Sequence, residues 1–195
     1  MTVGRGPKVR AAVLAATMLE LADRGYADLT VDGVAQRAGV NKTTVYRRWR
    51  DRQSLVADAI TDQIAAEVPI PDTGGIDGDL RAFARSLIRT LAGPTGQAIA
   101  GTMLAGAARI PEIAGIKQRF FEDRIRRAEP FIDRAVRRGE LPAGIDPAEL
   151  IKTLIAPIYL RLLVTAEPLD DFLADRATAI TLAAARAGAI PGKRS

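Results

Sequence analysis

Residues 30–52 read TVDGVAQRAGVNKTTVYRRWRDR, and no other stretch constrains the fold as tightly. Thr30 stands where a helix N-cap belongs, ahead of Val31, Val34, Ala35 and Ala38 at helical spacing. Gly39 then supplies a positive-φ turn, Val40 plugs the corner, and Asn41 caps a second short helix. In that helix Val45 and Trp49 lie four apart and face inward, which leaves Lys42, Thr43, Tyr46 and Arg47 on or near the opposite face. Two short helices around a glycine corner make a helix-turn-helix.

The flanks extend the helical reading. Residues 1–8 are glycine-rich, carry Arg5 and Lys8, and are expected to form a mobile arm. Residues 9–24 place Val13, Leu14, Met18, Leu21 and Ala22 on one helical stripe, ended by Gly25 as a left-handed cap, with Tyr26 and Leu29 packing the return. A fourth helix over residues 51–68 turns Leu55, Val56, Ala59, Ile60 and Ile64 inward. The stretch PIPDTGGIDG at residues 69–78 then breaks the pattern, dividing an N-terminal domain with its connecting helix (1–68) from a C-terminal domain (69–195). Helices are expected there over residues 78–92, 95–109, 111–139, 147–165 and 169–188, with Pro157 kinking the fourth of them. Strand alternation is not evident, so the fold class is all-α.

Charge placement separates the two parts. Residues 1–52 hold ten Lys/Arg against five Asp/Glu, whereas residues 53–195 hold eighteen of each, so the whole net charge of +5 sits in the first quarter. A basic domain beside a neutral one implies a polyanion for the first only. Joined to the helix-turn-helix, it implies double-stranded DNA, whose major groove admits a helix. The chain has no cysteine and no histidine. Disulfides and zinc–thiolate sites are thereby excluded, and an enzyme would lack the commonest general base. No catalytic residue, cofactor or metal is expected. No run reaches the roughly 18 apolar residues of a membrane span, and the N-terminus lacks a signal-peptide core, so a cytoplasmic protein without a membrane partner is expected.

The residues Gly25-Tyr26, Thr30-Val31, Val34-Ala35, Ala38-Gly39-Val40, Thr44-Val45-Tyr46, Trp49, Arg52 and Leu55 resemble the DNA-binding domain of the tetracycline-repressor-like (TetR/AcrR) regulators. The resemblance covers about residues 9–60 and implies roles position by position. Lys42, Thr43 and Arg47 match base-facing positions. Thr44, Tyr46 and Arg48 match phosphate or groove-wall positions, and Thr30 matches a phosphate-contacting cap. Arg52 stands where the family usually has lysine, Asn41 where it often has serine, and Arg48-Trp49 where a His/Tyr-Phe pair is more usual. Independently of the family, an arginine such as Arg47 can pair bidentately with a guanine edge, and Lys42 can reach one, each worth about 1–3 kcal/mol of discrimination.

Three features mark the C-terminal domain. Arg81, Arg85 and Arg89 lie four apart and form either an anion clamp or a solvated stripe. Met103, Phe120, Phe121 and Tyr159 line either an apolar ligand cavity or ordinary core. Ile151, Leu154, Ile155, Ile158, Leu162 and Leu163, with Ile180, Leu182 and Ala183–Ala185, offer more apolar surface than one thin helical layer needs, for which a two-fold homodimer is the economical use. The segment APIYLRLL at 156–163 and Glu167-Pro168-Leu169 also resemble one branch of the same family, which implies that this helix and the last one form a four-helix bundle with a second subunit.

The reading that follows is an N-terminal three-helix DNA-binding domain joined to a C-terminal helical domain for ligand binding and dimerisation. It describes a ligand-responsive transcriptional regulator, most often a repressor, released from a palindromic operator by a small-molecule effector. The alternatives are an activator, an effector-free structural DNA-binding protein, and a small-molecule carrier or enzyme.

Overall fold

Within the glycine-rich start, residues 5–8 are helical rather than a free arm, and residues 1–4 lie outside the described residues. In the computed structural model, which describes residues 5–105 and 111–192 apart from the side chains of residues 5, 101–105, 111 and 112, helix α1 runs Arg5–Asp28. Pro7 falls in its first turn, where the N–H that proline lacks would have no helical acceptor, so it seeds the helix instead of breaking it. Near the far end Gly25 takes φ 71° and ψ 175°, a positive φ as expected but outside the left-handed helical well. The chain turns there and buries Tyr26 and Leu29.

Helices α2 (Val31–Arg37), α3 (Lys42–Tyr46) and α4 (Arg52–Glu67) follow, with Gly39 at φ 65° between the first two. Beyond the proline/glycine break come α5 (Ile76–Ala92), α6 (Pro94–Ala105), α7 (Pro111–Arg137), α8 (Pro147–Leu160) and α9 (Asp171–Arg186). Pro157 sits inside α8, and the helix widens into a π-helical turn at Arg161–Thr165. Pro157 leaves the Thr153 carbonyl without its helical donor, and the π-helical turn follows four residues after the proline. The described residues contain no strand, only an isolated bridge between Ile145 and Gly192.

Packing groups the chain into two units. The first comprises residues 1–66 and 93–121, the second residues 67–92 and 122–195. The break at residues 69–78 is therefore a boundary along the chain without being the limit of the first unit, because α6 packs against α1. In the first unit Val13, Leu14 and Leu21 of α1, Val34 of α2, Val45 of α3 and the α4 stripe Leu55, Val56, Ile60 and Ile64 are all buried. In the second, α5 and α8 both pack on α9, and Phe83 of α5 meets Phe131 of α7 with ring centroids 6.1 Å apart.

Two expectations for the second unit change. The arginine stripe is neither an anion clamp nor merely solvated: Arg81 Nη1 and Arg85 Nη2 each reach Asp175 Oδ1 of α9 at 2.9 Å, and Arg81 also pairs with Asp77 at 2.8 Å. The hydrogen bond from Arg81 holds the Asp175 carboxyl below its ordinary range. The expected apolar surplus is only partly left over: Ile180 is exposed, and Leu162 and Leu163 are half-buried. Ile151, Leu154, Ile155, Ile158 and Leu182 are consumed within the chain, whereas Leu160, Val164, Phe172 and Ile180 are the large apolar side chains left exposed.

Candidate nucleic-acid interface

Both predicted caps form. Thr30 Oγ1 accepts the Gly33 N–H at 3.0 Å, and Asn41 Oδ1 accepts the Thr43 N–H at 3.0 Å, which starts α2 and α3 at defined residues. The corner is closed by the Val40 N–H donating to the Ala35 carbonyl at 3.0 Å. Val45 and Trp49 are buried, and the Trp49 indole donates to Asp58 Oδ2 at 2.9 Å, fastening the end of the recognition segment to α4.

A buried carboxylate fastens α2 in turn. Glu20 of α1 lies 2.9 Å from Arg37 Nε and 3.3 Å from Arg24 Nε, and Asp23 takes Arg37 Nη2 at 2.7 Å. A Cβ at Gly33 would stand 3.1 Å from Glu20 Oε2, so the glycine is what lets α2 lie over that carboxylate. Nothing local in the sequence marks Glu20 as a joint, because its partner Arg37 is seventeen residues away on another helix.

With the scaffold pinned, α3 presents its polar face outward. Lys42, Thr43, Tyr46, Arg47 and Arg48 are exposed, Tyr46 by 52%, while Thr44 is half-buried. Lys42 Nζ makes only a 3.5 Å exposed contact with Asp32, too weak and too wet to hold it from another anion. The Thr43 hydroxyl donates to Asn41 Oδ1 at 2.9 Å. Arg48 sits 6.0 Å from the Trp49 ring centroid.

Beside this face lies a recess of about 660 Å³ lined by Thr44, Arg47 and Arg48 from the α3 side and by Gly6 and Val9 from the start of α1. Gly6 and Val9 were not among the expected site residues. Pro7 in a first helical turn is the signal that could have revealed them, since it brings α1 four residues closer to the N-terminus. Two arginines line a concavity of this size, and phosphate oxygens are the complementary ligand.

Arg52 differs from the other expected contacts. It is half-buried, its Nη1 lies 3.3 Å from each of the Tyr26, Ala27 and Leu29 carbonyls, and its guanidinium stacks 4.3 Å over the Tyr26 ring. Its donors thus close the turn after α1. The planar guanidinium also suits stacking on the Tyr26 ring, which an ammonium does less well.

The expected ligand-site residues fall in separate places. Phe120 is buried and meets Phe121 edge-on at 5.2 Å, both in the first unit. The side chain of Met103 lies outside the described residues. Tyr159 belongs to the second unit, where burial pushes its hydroxyl up to about 12 and where it stands within electrostatic reach of Arg124. Arg124 was not singled out, although it continues the α7 stripe Phe120, Ala128 and Phe131 at helical spacing and so occupies a core position. Among the described residues no group of carboxylates is arranged to hold a metal ion, and no helix is long and apolar enough to cross a membrane.

Known proteins share these features. Residues 13–59 match the model of the bacterial regulatory proteins of the tetR family, and residues 70–181 match that of the tetracyclin repressor-like C-terminal domain. The first match ends before the proline/glycine break, and the second begins inside it. The HTH-type transcriptional regulator AqdR of Rhodococcus erythropolis is 35% identical over 166 residues, covering 84% of this chain and 80% of that protein. A DNA-binding transcriptional repressor, TetR, of Mycobacteroides abscessus is 32% identical over 179 residues, covering 87% and 89%. Among solved structures, the TetR family transcription regulator SCO0332 superposes with a TM-score of 0.75 at 29% identity over 90% of this chain and 97% of that one. Together with the capped helix-turn-helix and its exposed cationic face, these matches show that the chain belongs to the tetR family of bacterial regulatory proteins and is a DNA-binding transcriptional regulator.

Proposed function

We propose that the protein is a homodimeric repressor that leaves a palindromic operator when a small-molecule effector binds. The observation that carries the DNA half is the exposed row Lys42, Thr43, Tyr46 and Arg47 set over a buried Val45 and Trp49. In this reading Lys42, Thr43 and Arg47 read base edges, while Thr30, Thr44, Tyr46 and Arg48 hold the backbone. Arg52 supports the fold and meets DNA only at the margin. The name of the Mycobacteroides relative supports repression, and the exposed Leu160, Val164, Phe172 and Ile180 support a second copy.

Residues 1–68 are assigned to operator binding and residues 69–195 to the effector and the dimer, with Phe120, Phe121, Tyr159 and Met103 near the effector. Release follows from population shift: an effector that binds better when the two recognition helices are badly spaced draws the dimer into that state. The protein works in the cytoplasm, where its operator is.

Selection of bound sequences from a random DNA pool tests the proposal. The expected product is a palindrome whose half-sites lie about 34 Å, or a near multiple, apart. Enrichment without two-fold symmetry would refute the dimeric reader. Loss of the selected complex on titration with metabolite extracts is the expected sign of an effector, and an operator complex indifferent to every fraction would refute effector release.

A further inference from the structure

The second unit contains a cation whose surroundings do not neutralise it. Arg124 is 4% exposed, and it has no ion pair among the described residues. Its Nη1 makes one long hydrogen bond, 3.4 Å, to the Val68 carbonyl, and its guanidinium carbon lies 4.9 Å from the Phe83 ring centroid. Nη2 is buried without a hydrogen-bond partner among the described residues. The adjacent carboxylate, Asp123, is turned away to Arg126 and Arg127. Tyr159, the aromatic hydroxyl in electrostatic reach, stays neutral because burial pushes it up to about 12. Burial lowers the pKa of the guanidinium, yet an arginine does not give up its proton in a protein.

A structural role for Arg124 alone is the simpler reading. It holds the chain just after α4 and stacks on a ring, and many buried arginines do as much. Such arginines normally spend all their donors, however, since an ion taken out of water is recovered only by a charge partner and full hydrogen bonding. One 3.4 Å bond and one ring leave this guanidinium short of both.

We propose that Arg124 is the anchor for an anionic effector, a small molecule with a carboxylate on an apolar body. Nη2 has no accessible surface in this structure, so the packing around Arg124 must open to admit the carboxylate, which then forms a charge-assisted hydrogen bond where little water competes. A neutral acceptor could bond the same nitrogen but would leave the buried charge without a counter-ion. The proposal rests on the effector-responsive reading above and adds the charge class of that effector.

The test uses the full-length protein with octanoate, phenylbutyrate and the primary amide of each, which have nearly the same shape without the charge. Calorimetric titration should show at least one acid binding roughly thirtyfold or more tighter than its amide, the penalty typical of losing one member of a buried charge pair. In Arg124→Met the acid and its amide should bind alike, and in Arg124→Lys an intermediate preference should remain. Equal binding of acid and amide to the unaltered protein overturns the proposal, as does failure of both acids to bind or an acid preference that survives in Arg124→Met. The acid-to-amide ratio of the unaltered protein needs no variant, so a poorly folding Arg124→Met does not shield the idea. Anisotropy of a labelled operator, read on the same samples, separates the two layers. An operator bound and released by uncharged compounds, with no acid preference, removes only the anion. Acid binding through Arg124 without any operator binding removes the repressor reading instead.

Discussion

Arg47, Arg48 and Arg52 lie within six residues of one another, and their surroundings assign them three different duties. Arg47 is exposed at the end of α3 with no protein partner among the hydrogen bonds and ion pairs of the described residues, so its donors are available to a base edge. Arg47→Ala should relax preference at one or two operator positions, by about 1–3 kcal/mol each, in a comparison of single-base operator variants. A uniform loss across all variants would make Arg47 a phosphate contact. Arg48 lines the recess with Gly6 and Val9, and removing one phosphate contact should lower the salt slope of log affinity by about one. An unchanged slope in Arg48→Ala would contradict that duty. Arg52 is committed to three carbonyls and the Tyr26 ring, so Arg52→Ala should cost about 1–2 kcal/mol of stability, read as a lower urea midpoint, while operator preference stays the same. Altered preference at intact stability would return Arg52 to the DNA. The residue types of all three were legible in the sequence. The duty of Arg52 was not, because the carbonyls it holds lie 23 to 26 residues back along the chain.

At the scale of elements, short helices depend on their ends. α2 and α3 span seven and five residues, too few to persist without caps and packing. The start of α4 shows the same dependence reciprocally. Asp51 Oδ1 accepts the Ser54 N–H at 2.7 Å, and the Asp51 N–H donates to Ser54 Oγ at 3.3 Å. The Ser54 backbone hydrogen bond, helped by its hydroxyl, holds the Asp51 carboxyl below its ordinary range. A carboxyl with a depressed folded-state pKa binds its proton more readily in the unfolded chain. Its contribution is therefore complete above the usual carboxylate pKa, near 3.9, and is lost as pH falls through the lower folded value. Asp51→Ala should cost about 0.5–2 kcal/mol at neutral pH, and denaturant titrations at acid pH should show that difference vanish. A difference that persists in acid would mean that Asp51 acts through something other than its charge. The caps at Thr30 and Asn41 were readable because a cap involves residues two or three apart. The Glu20–Arg37 joint between α1 and α2 was not, since helical periodicity says which face is buried without saying what crosses it.

At the scale of the molecule, the proposed dimer draws on the apolar residues that α8 and α9 leave exposed. Phe172 is 68% exposed and Ile180 54%, on a helix whose other face is already packed on α5 and α8. Leu160 and Ile180 line one cleft together with Pro157 and Ala177. Exposed apolar residues of this size on a pair of neighbouring helices are ordinary for an interface and costly in water. The double substitution Phe172→Glu and Ile180→Glu should yield monomers in sedimentation velocity and weaken binding to a two-half-site operator far more than to a single half-site. A dimer that survives both would place its contact on another face.

The amino-acid sequence by itself determined the helical class, the position of the DNA-reading corner, both of its caps, and the confinement of positive charge to the first quarter. Each of these depends on residues within a few positions of one another, or on a sum along the chain. The tertiary structure decided which arginines are free: Arg47 and Arg48 remain open, Arg52 closes a turn, Arg81 and Arg85 are tied to α9, and Arg124 is buried with a donor unspent. It also decided that, of the expected apolar surplus, Ile180 stays exposed while the Ile151–Ile158 row is buried, and that Leu160, Val164 and Phe172 join Ile180. An arginine's charge is written in the sequence, but its partner is set by helices brought together from dozens of residues away, and only packing brings them together.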